Sequence, residues 1–100
     1  MTKIAIVYFS NFKGNTETLA NAVMRGAKTV PDTEVVIIHT DEVDTHWHTL
    51  HACDAIIFGT PTYIGSVAAK FKEFVEKLAG EVWLARIWTN KIAGGFTVSA

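Results

Sequence analysis

A chain of 100 residues that is 49% hydrophobic, 19% charged and 11% aromatic has room for one hydrophobic core and not for two, since roughly 60 to 70% of the unfolded surface is buried at this size. That balance excludes disordered, collagen-like and disulfide-scaffold classes. A net charge of -1 with scattered Lys and Arg supplies no basic field, so nucleic acid is not an expected partner.

The single cysteine, Cys53, has no internal disulfide partner, and the apolar run after Met1-Thr2-Lys3 is too short for a secretory signal. A reducing cytoplasm is the expected compartment. Every apolar run is interrupted before the roughly 18 to 20 residues a membrane helix needs, so no span is expected.

Ile4 to Phe9 is an unbroken apolar run, which reads as a first strand buried on both faces of a parallel sheet. Beyond the polar stretch Ser10 to Asn15, the positions Leu19, Ala20, Val23, Met24 and Ala27 recur at helical spacing, with Glu17 near the start and Arg25 and Lys28 near the end. Pro31-Asp32 breaks this helix. Glu34 to His39 reads as a second strand, Asp41 to Asp44 as an acidic loop, and Trp47 to Cys53 as a short helix.

Ala55 to Gly59 reads as a third strand, followed by the loop Thr60 to Ser66. A helix then follows with Val67, Phe71, Phe74, Val75 and Leu78 on one side and the pairs Lys72/Glu76 and Glu73/Lys77 on the wet side. Gly80 is expected to end it. An aromatic connection from Glu81 to Asn90 leads to a fourth strand over Ile92 to Val98.

Alternating strands and helices define an α/β class, a parallel sheet with helices on its faces. Right-handed crossovers leave few windings. If the chain reverses direction after the second strand, the order is 2-1-3-4 and the crevice between strands one and three is the topological switch point, where ligands bind. Two unusual loops leave the C-terminal ends of those strands.

The first, Ser10-Asn11-Phe12-Lys13-Gly14-Asn15-Thr16, supplies hydroxyls, a cation, a glycine that permits close backbone approach and the free N–H groups of a helix start. These residues suit a phosphate monoester. They serve equally well as a plain helix cap through Asn15 or Thr16. The segment lacks the Walker A spacing and the glycine triplet of dinucleotide folds, which disfavours ATP hydrolysis. The second loop, Thr60-Pro61-Thr62-Tyr63-Ile64-Gly65-Ser66, puts an aromatic side chain at the crevice, where a flat heteroaromatic ring could lie. Alternatively it is an ordinary turn whose Tyr63 packs on the neighbouring helix.

Three segments together carry a resemblance: Val7 through Thr16, Cys53 through Tyr63, and Lys91 through Ser99. They are similar to flavodoxin-family NAD(P)H-dependent FMN oxidoreductases of the WrbA-like kind, in the same order and at matching spacing along essentially the whole chain. Flavodoxins are themselves the type example of FMN at this switch point, so that placement comes from the resemblance. What the resemblance implies is a flavodoxin-like doubly wound sheet, of which this chain is one N-terminal domain over residues 1–100 with the fifth strand and last helix absent.

The resemblance further implies that Ser10, Lys13, Gly14, Asn15 and Thr16 surround the FMN phosphate. It implies that Pro61, Thr62, Tyr63, Ile64 and Gly65 contact the isoalloxazine ring and tune it, and that Thr97 and Ser99 begin a third cofactor loop. No side chain is expected to act as an acid or base catalyst.

His46, His48 and His51 with Asp41 and Asp44 have metal-ligand residue types, but no spacing fixes a tetrahedral set, so a solvated helix start is expected and no metal. Cys53, without a Cys-x-x-Cys partner, is expected to be a core residue.

The expected activity is transfer of reducing equivalents from NAD(P)H to a quinone or similar small acceptor. The alternatives are an electron-carrier flavodoxin, against which the feeble net charge counts, and a non-catalytic half-domain that needs a partner chain. Order 2-1-3-4 leaves strands three and four bare on the face of the first helix. An apolar patch is expected there, covered by further chain or by another copy in a homo-oligomer.

Overall fold

The computed structural model describes residues 1–11 and 14–99. Strand β1 (Thr2–Tyr8) buries Ala5, Ile6, Val7 and Tyr8 in succession, which only a strand covered on both faces can do. It lies between two parallel neighbours, β2 (Thr33–His39) and β3 (Ala55–Tyr63). A two-residue strand, β4 (Ser66–Val67), folds back antiparallel on Thr62 and Tyr63. Strand β5 (Ile92–Val98) then extends the parallel sheet along β3, from Ala55 opposite Ile92 to Pro61 opposite Val98.

The parallel order is thus β2-β1-β3-β5, with β4 an appendage of β3. This is the winding expected from sequence, except that β3 runs four residues past Gly59 and forms a hairpin with β4, whose Ser66 was expected in the loop and whose Val67 was expected on the helix. Two residues are too few for period-two alternation to register.

Helix α1 (Thr16–Lys28) covers one face, where Ala20, Val23 and Met24 meet Ile6, Tyr8, Val35 and Ile37. The other face is covered by α2 (Trp47–Ala52) and α3 (Ala69–Leu78), whose Leu50, Phe71 and Phe74 pack on Ala5, Val7, Ile38 and Ile56. The alternation of β1 side chains between the two faces assigns each to its cluster. Phe71 and Phe74 meet edge to face at 5.6 Å, a favoured aromatic geometry.

Several local expectations change. Thr40–Thr45 is a 3-10 turn and not an open loop, entered through His39, whose Nδ1 accepts from the Asp41 N–H. Gly80 does not stop α3, because a π turn over Ala79–Trp83 carries the chain on. Lys77 pairs with Asp44 at 3.0 Å while Glu73 turns to Lys70; only Lys72 and Glu76 pair as expected. The Lys77 ammonium beside Asp44 holds that carboxyl below its ordinary range. Val67 and Val75 are exposed.

The aromatic connection is tied to α2. Trp88 Nε1 donates to His51 Nδ1 at 2.9 Å, and Lys91 Nζ donates to the carbonyls of His51 and Cys53. Trp47 stacks on Phe74 and on His51. His51 is therefore an acceptor in a packed aromatic cluster. No group of three or more metal-ligating side chains occurs among the described residues. No helix among them is long and apolar enough to cross a membrane.

The bare strip anticipated beside α1 is present. Ile92 is 70% exposed, and Phe96 and Val98 on the same face are only half-buried. Phe96 closes over Gly59, where a Cβ would run directly into its ring.

Gly59→Ala is therefore expected to lower unfolding free energy by about 1 to 3 kcal/mol through expulsion of Phe96. The same substitution in a Phe96→Ala background should cost little, and urea unfolding of the four-member cycle measures the difference.

Candidate functional site

Phe9 N–H donates to Gly59 O at 3.0 Å, which extends the β1–β3 ladder to the mouth of the sheet. Ser10 is next, and His39 at the end of β2 fixes it. His39 Nδ1 accepts from Asp41, so its proton sits on Nε2, 3.0 Å from Ser10 O. Two loops, after β1 and within the β3–β4 hairpin, then meet the end of β5.

The first loop ends at α1. Gly14 N–H donates to Asn11 O at 3.0 Å, closing a turn. A Cβ at Gly14 would come within 2.8 Å of Asn11 Oδ1 and 2.9 Å of Ser10 Oγ, so a side chain here would displace those two polar groups. Asn15, at the N-cap, makes no side-chain cap, and the Thr16 hydroxyl, on a residue only 1% exposed, has no partner among the described residues. Asn15 thus caps the helix only through its carbonyl, which accepts from the Leu19 N–H. The free N–H groups of the first turn and the helix dipole favour an anion there. Lys13 lies outside the described residues.

A buried hydroxyl without a partner costs about 1 to 3 kcal/mol. A phosphate ester at the helix start supplies acceptor oxygens for the Thr16 hydroxyl, for Ser10 and for the free amides. The residues present fit such a group.

The second loop is the β3–β4 hairpin. Its tip, Ile64-Gly65, has φ of 48° and 74°, the signature of a two-residue type I′ turn. Glycine adopts this freely, whereas a β-branched residue is strained there. Ile64 nonetheless stands wholly in solvent. Tyr63 is 43% exposed, and its hydroxyl accepts from Asn11 Nδ2 at 2.5 Å.

Thr97, at the end of β5, donates to Thr60 O at 2.7 Å and so accepts from Thr62 Oγ1, also at 2.7 Å. The structure thus gathers Ser10, Gly14, Asn15, Thr16, Thr62, Tyr63, Thr97 and the Ile64-Gly65 tip at one end of the sheet. Pro61 lies just below, buried opposite Val98. Ser99 lines a groove with Asn15, Thr18 and Leu19 of α1.

Three contributors had no sequence signal: Asn11 as a bridge, His39 as the brace of Ser10, and Tyr8. Tyr8 donates to Glu17 Oε1 at 2.9 Å, and its pKa is pushed up to about 12, first by burial and then by Glu17. Cys53, 4% exposed, sits at the opposite end of the sheet with its thiol pKa raised by burial. It is a core residue, as expected.

The sequence profile of the family described as NADPH-dependent FMN reductase matches residues 2–100. The chain belongs to this family. It is 37% identical to a protein named Flavodoxin FldP from Pseudomonas aeruginosa (strain UCBPP-PA14), covering all of this chain and 52% of that one. It is 34% identical to an NAD(P)H dehydrogenase (quinone) from Chromohalobacter salexigens, covering 58% of it.

Among solved structures, a flavodoxin, WrbA-like protein from Agrobacterium tumefaciens superposes with a TM-score of 0.86 at 36% identity, over all of this chain and 61% of that one. Oxidised Flavodoxin 1 from Bacillus cereus, at 18% identity and a TM-score of 0.65 over 98% of this chain and 84% of that one, shares the fold. The chain spans a little over half the length of the curated relatives it matches. The fold is flavodoxin-like, and the family is one of FMN proteins.

Two outcomes are expected. Ile64→Gly should raise unfolding free energy by about 1 kcal/mol by releasing backbone strain, read by urea denaturation. Tyr8 should form phenolate only as pH approaches 12, against an ordinary 10.0. Because the fold favours the neutral phenol, this contribution is intact below pH 10 and is lost as pH rises through 12. Absorbance titration checks this, and Glu17→Gln should bring the midpoint part of the way down.

Proposed function

We propose that this chain forms the FMN-binding part of an oxidoreductase that passes reducing equivalents from NAD(P)H to a quinone or similar small acceptor in a reducing cytoplasm. The observation that carries the reading is the buried hydroxyl of Thr16, without a partner among the described residues, close to a glycine over which the polar ends of Ser10 and Asn11 lie, in a chain of this family. Ser10, Lys13, Gly14, Asn15 and Thr16 hold the phosphate. Pro61, Thr62, Tyr63, Ile64 and Gly65 form the ring site, and Thr97 and Ser99 border it. When bound, the flavin supplies the redox chemistry.

The residues' part is positional and electrostatic. The start of α1 neutralises the phosphate, the hydrogen-bonded Thr62–Thr97 pair holds the hairpin against β5, and Ile64 offers an apolar edge that keeps water from a flat ring. No side chain of the site is assigned a proton transfer.

An electron carrier is the second reading, favoured by the likeness to a protein named flavodoxin. Whether NAD(P)H alone reduces the bound flavin separates the two. Exposed Ile92 beside half-buried Phe96 supports coverage of the α1 face by further protein, either continuing polypeptide or another copy in a homo-oligomer. Without it this single domain would be a non-catalytic half.

Thr16→Val gives the direct test. FMN affinity, followed by quenching of flavin fluorescence, should fall at least tenfold, equivalent to about 1.5 kcal/mol for a hydrogen bond to a charged group. Apo stability should hold or rise, because the orphaned hydroxyl is gone. Unchanged FMN affinity would refute the assignment.

A further inference from the structure

The first turn of α1 leaves its amides unused. The Leu19 N–H donates to Asn15 O at 3.0 Å and opens the helical ladder, while the N–H groups of Thr16, Glu17 and Thr18 have no acceptor among the described residues. Two neighbouring side chains could satisfy them, and neither does. Asn15 makes no side-chain cap. Glu17 is the acid of the first turn, and the positive end of the helix attracts such a carboxylate. Its Oε1 instead accepts from the Tyr8 hydroxyl at 2.9 Å.

Tyr8 is placed to keep that hold. It is the last residue of β1 and only 6% exposed, and its ring meets His39 edge-on at 5.1 Å. The hydroxyl therefore stands on a packed ring at the end of a paired strand. Burial and Glu17 push the phenol pKa up to about 12, so it stays a donor at any ordinary pH. A hydrogen bond to a carboxylate is of the stronger, charge-assisted kind. The Glu17 carboxylate is thus tied to the sheet.

We infer that Tyr8 is a positioning residue: its hydroxyl holds the Glu17 carboxylate off the first turn of α1 and so reserves those amides for a phosphate. This rests on the anion-binding reading of the start of α1. Without the hydroxyl, Glu17 becomes an internal anion that competes for the same N–H groups and the same dipole. A phosphate then has to displace it.

Tyr8→Phe removes only the hydroxyl and keeps the buried ring. Inorganic phosphate, titrated at constant ionic strength, should shift the backbone amide resonances of Thr16, Glu17 and Thr18 in the wild-type chain. Its affinity should fall about two- to fivefold in Tyr8→Phe, the range set by a charge at a helix end. Glu17→Ala removes the competitor, so adding Tyr8→Phe to Glu17→Ala should leave the affinity of Glu17→Ala unchanged. Before any phosphate is added, Tyr8→Phe should already shift these amides, and it should not do so in the Glu17→Ala background.

An affinity that Tyr8→Phe leaves unchanged overturns the positioning role and leaves the anion site standing. A loss of equal size with and without Glu17 overturns it as well, because the hydroxyl would then act through packing alone. Amides silent to phosphate in the wild-type chain overturn the anion reading and this proposal with it.

Discussion

Burial of β1 on both faces is the constraint on which the rest depends. With Ile6 and Val7 both wholly buried, on opposite faces, a slip of one residue would exchange the two packed clusters, so the register with β2 and β3 is fixed. That register sets where the chain emerges. Ser10 leaves the sheet beside Gly59 and below His39, and α1 must start within the few residues that follow. The start of α1 owes its position to strand pairing.

Much of this was legible because the signals were physical and local. Unbroken β-branched runs marked β1 and β3, and three-and-four spacing marked α1. Glycine and hydroxyl residues at a helix start marked the loop. What escaped has equally physical reasons. The hairpin at Ile64-Gly65 demands positive φ from an isoleucine, against its propensity, so no turn rule points to it. Gly80 is a good stop signal, but packing of Val82 against the protein, only 8% exposed, rewards a π turn that carries the chain through it. Asn11, His39 and Glu17 act across distances in sequence that no motif records.

The two ends of the sheet have been given different work. At the N-terminal end of β3, Trp47, His51, Trp88 and Lys91 make a packed and hydrogen-bonded anchor around the buried Cys53. At the C-terminal end, hydroxyls and amides face an open crevice, with strain at one tip and an orphaned hydroxyl below another. Rigid packing at one end leaves the other free to hold groups that a stable core would reject.

The hydroxyl of Thr60 adds a last point. It accepts the N–H of Ala68 at 3.2 Å, so the first turn of α3 is secured by the strand before the hairpin and not by the hairpin itself. Pro61 and Thr62 are held by β5, so only the tip at Ile64-Gly65 stands clear of the sheet. That tip is an exchangeable cassette: its sequence can drift while strand and helix keep their places.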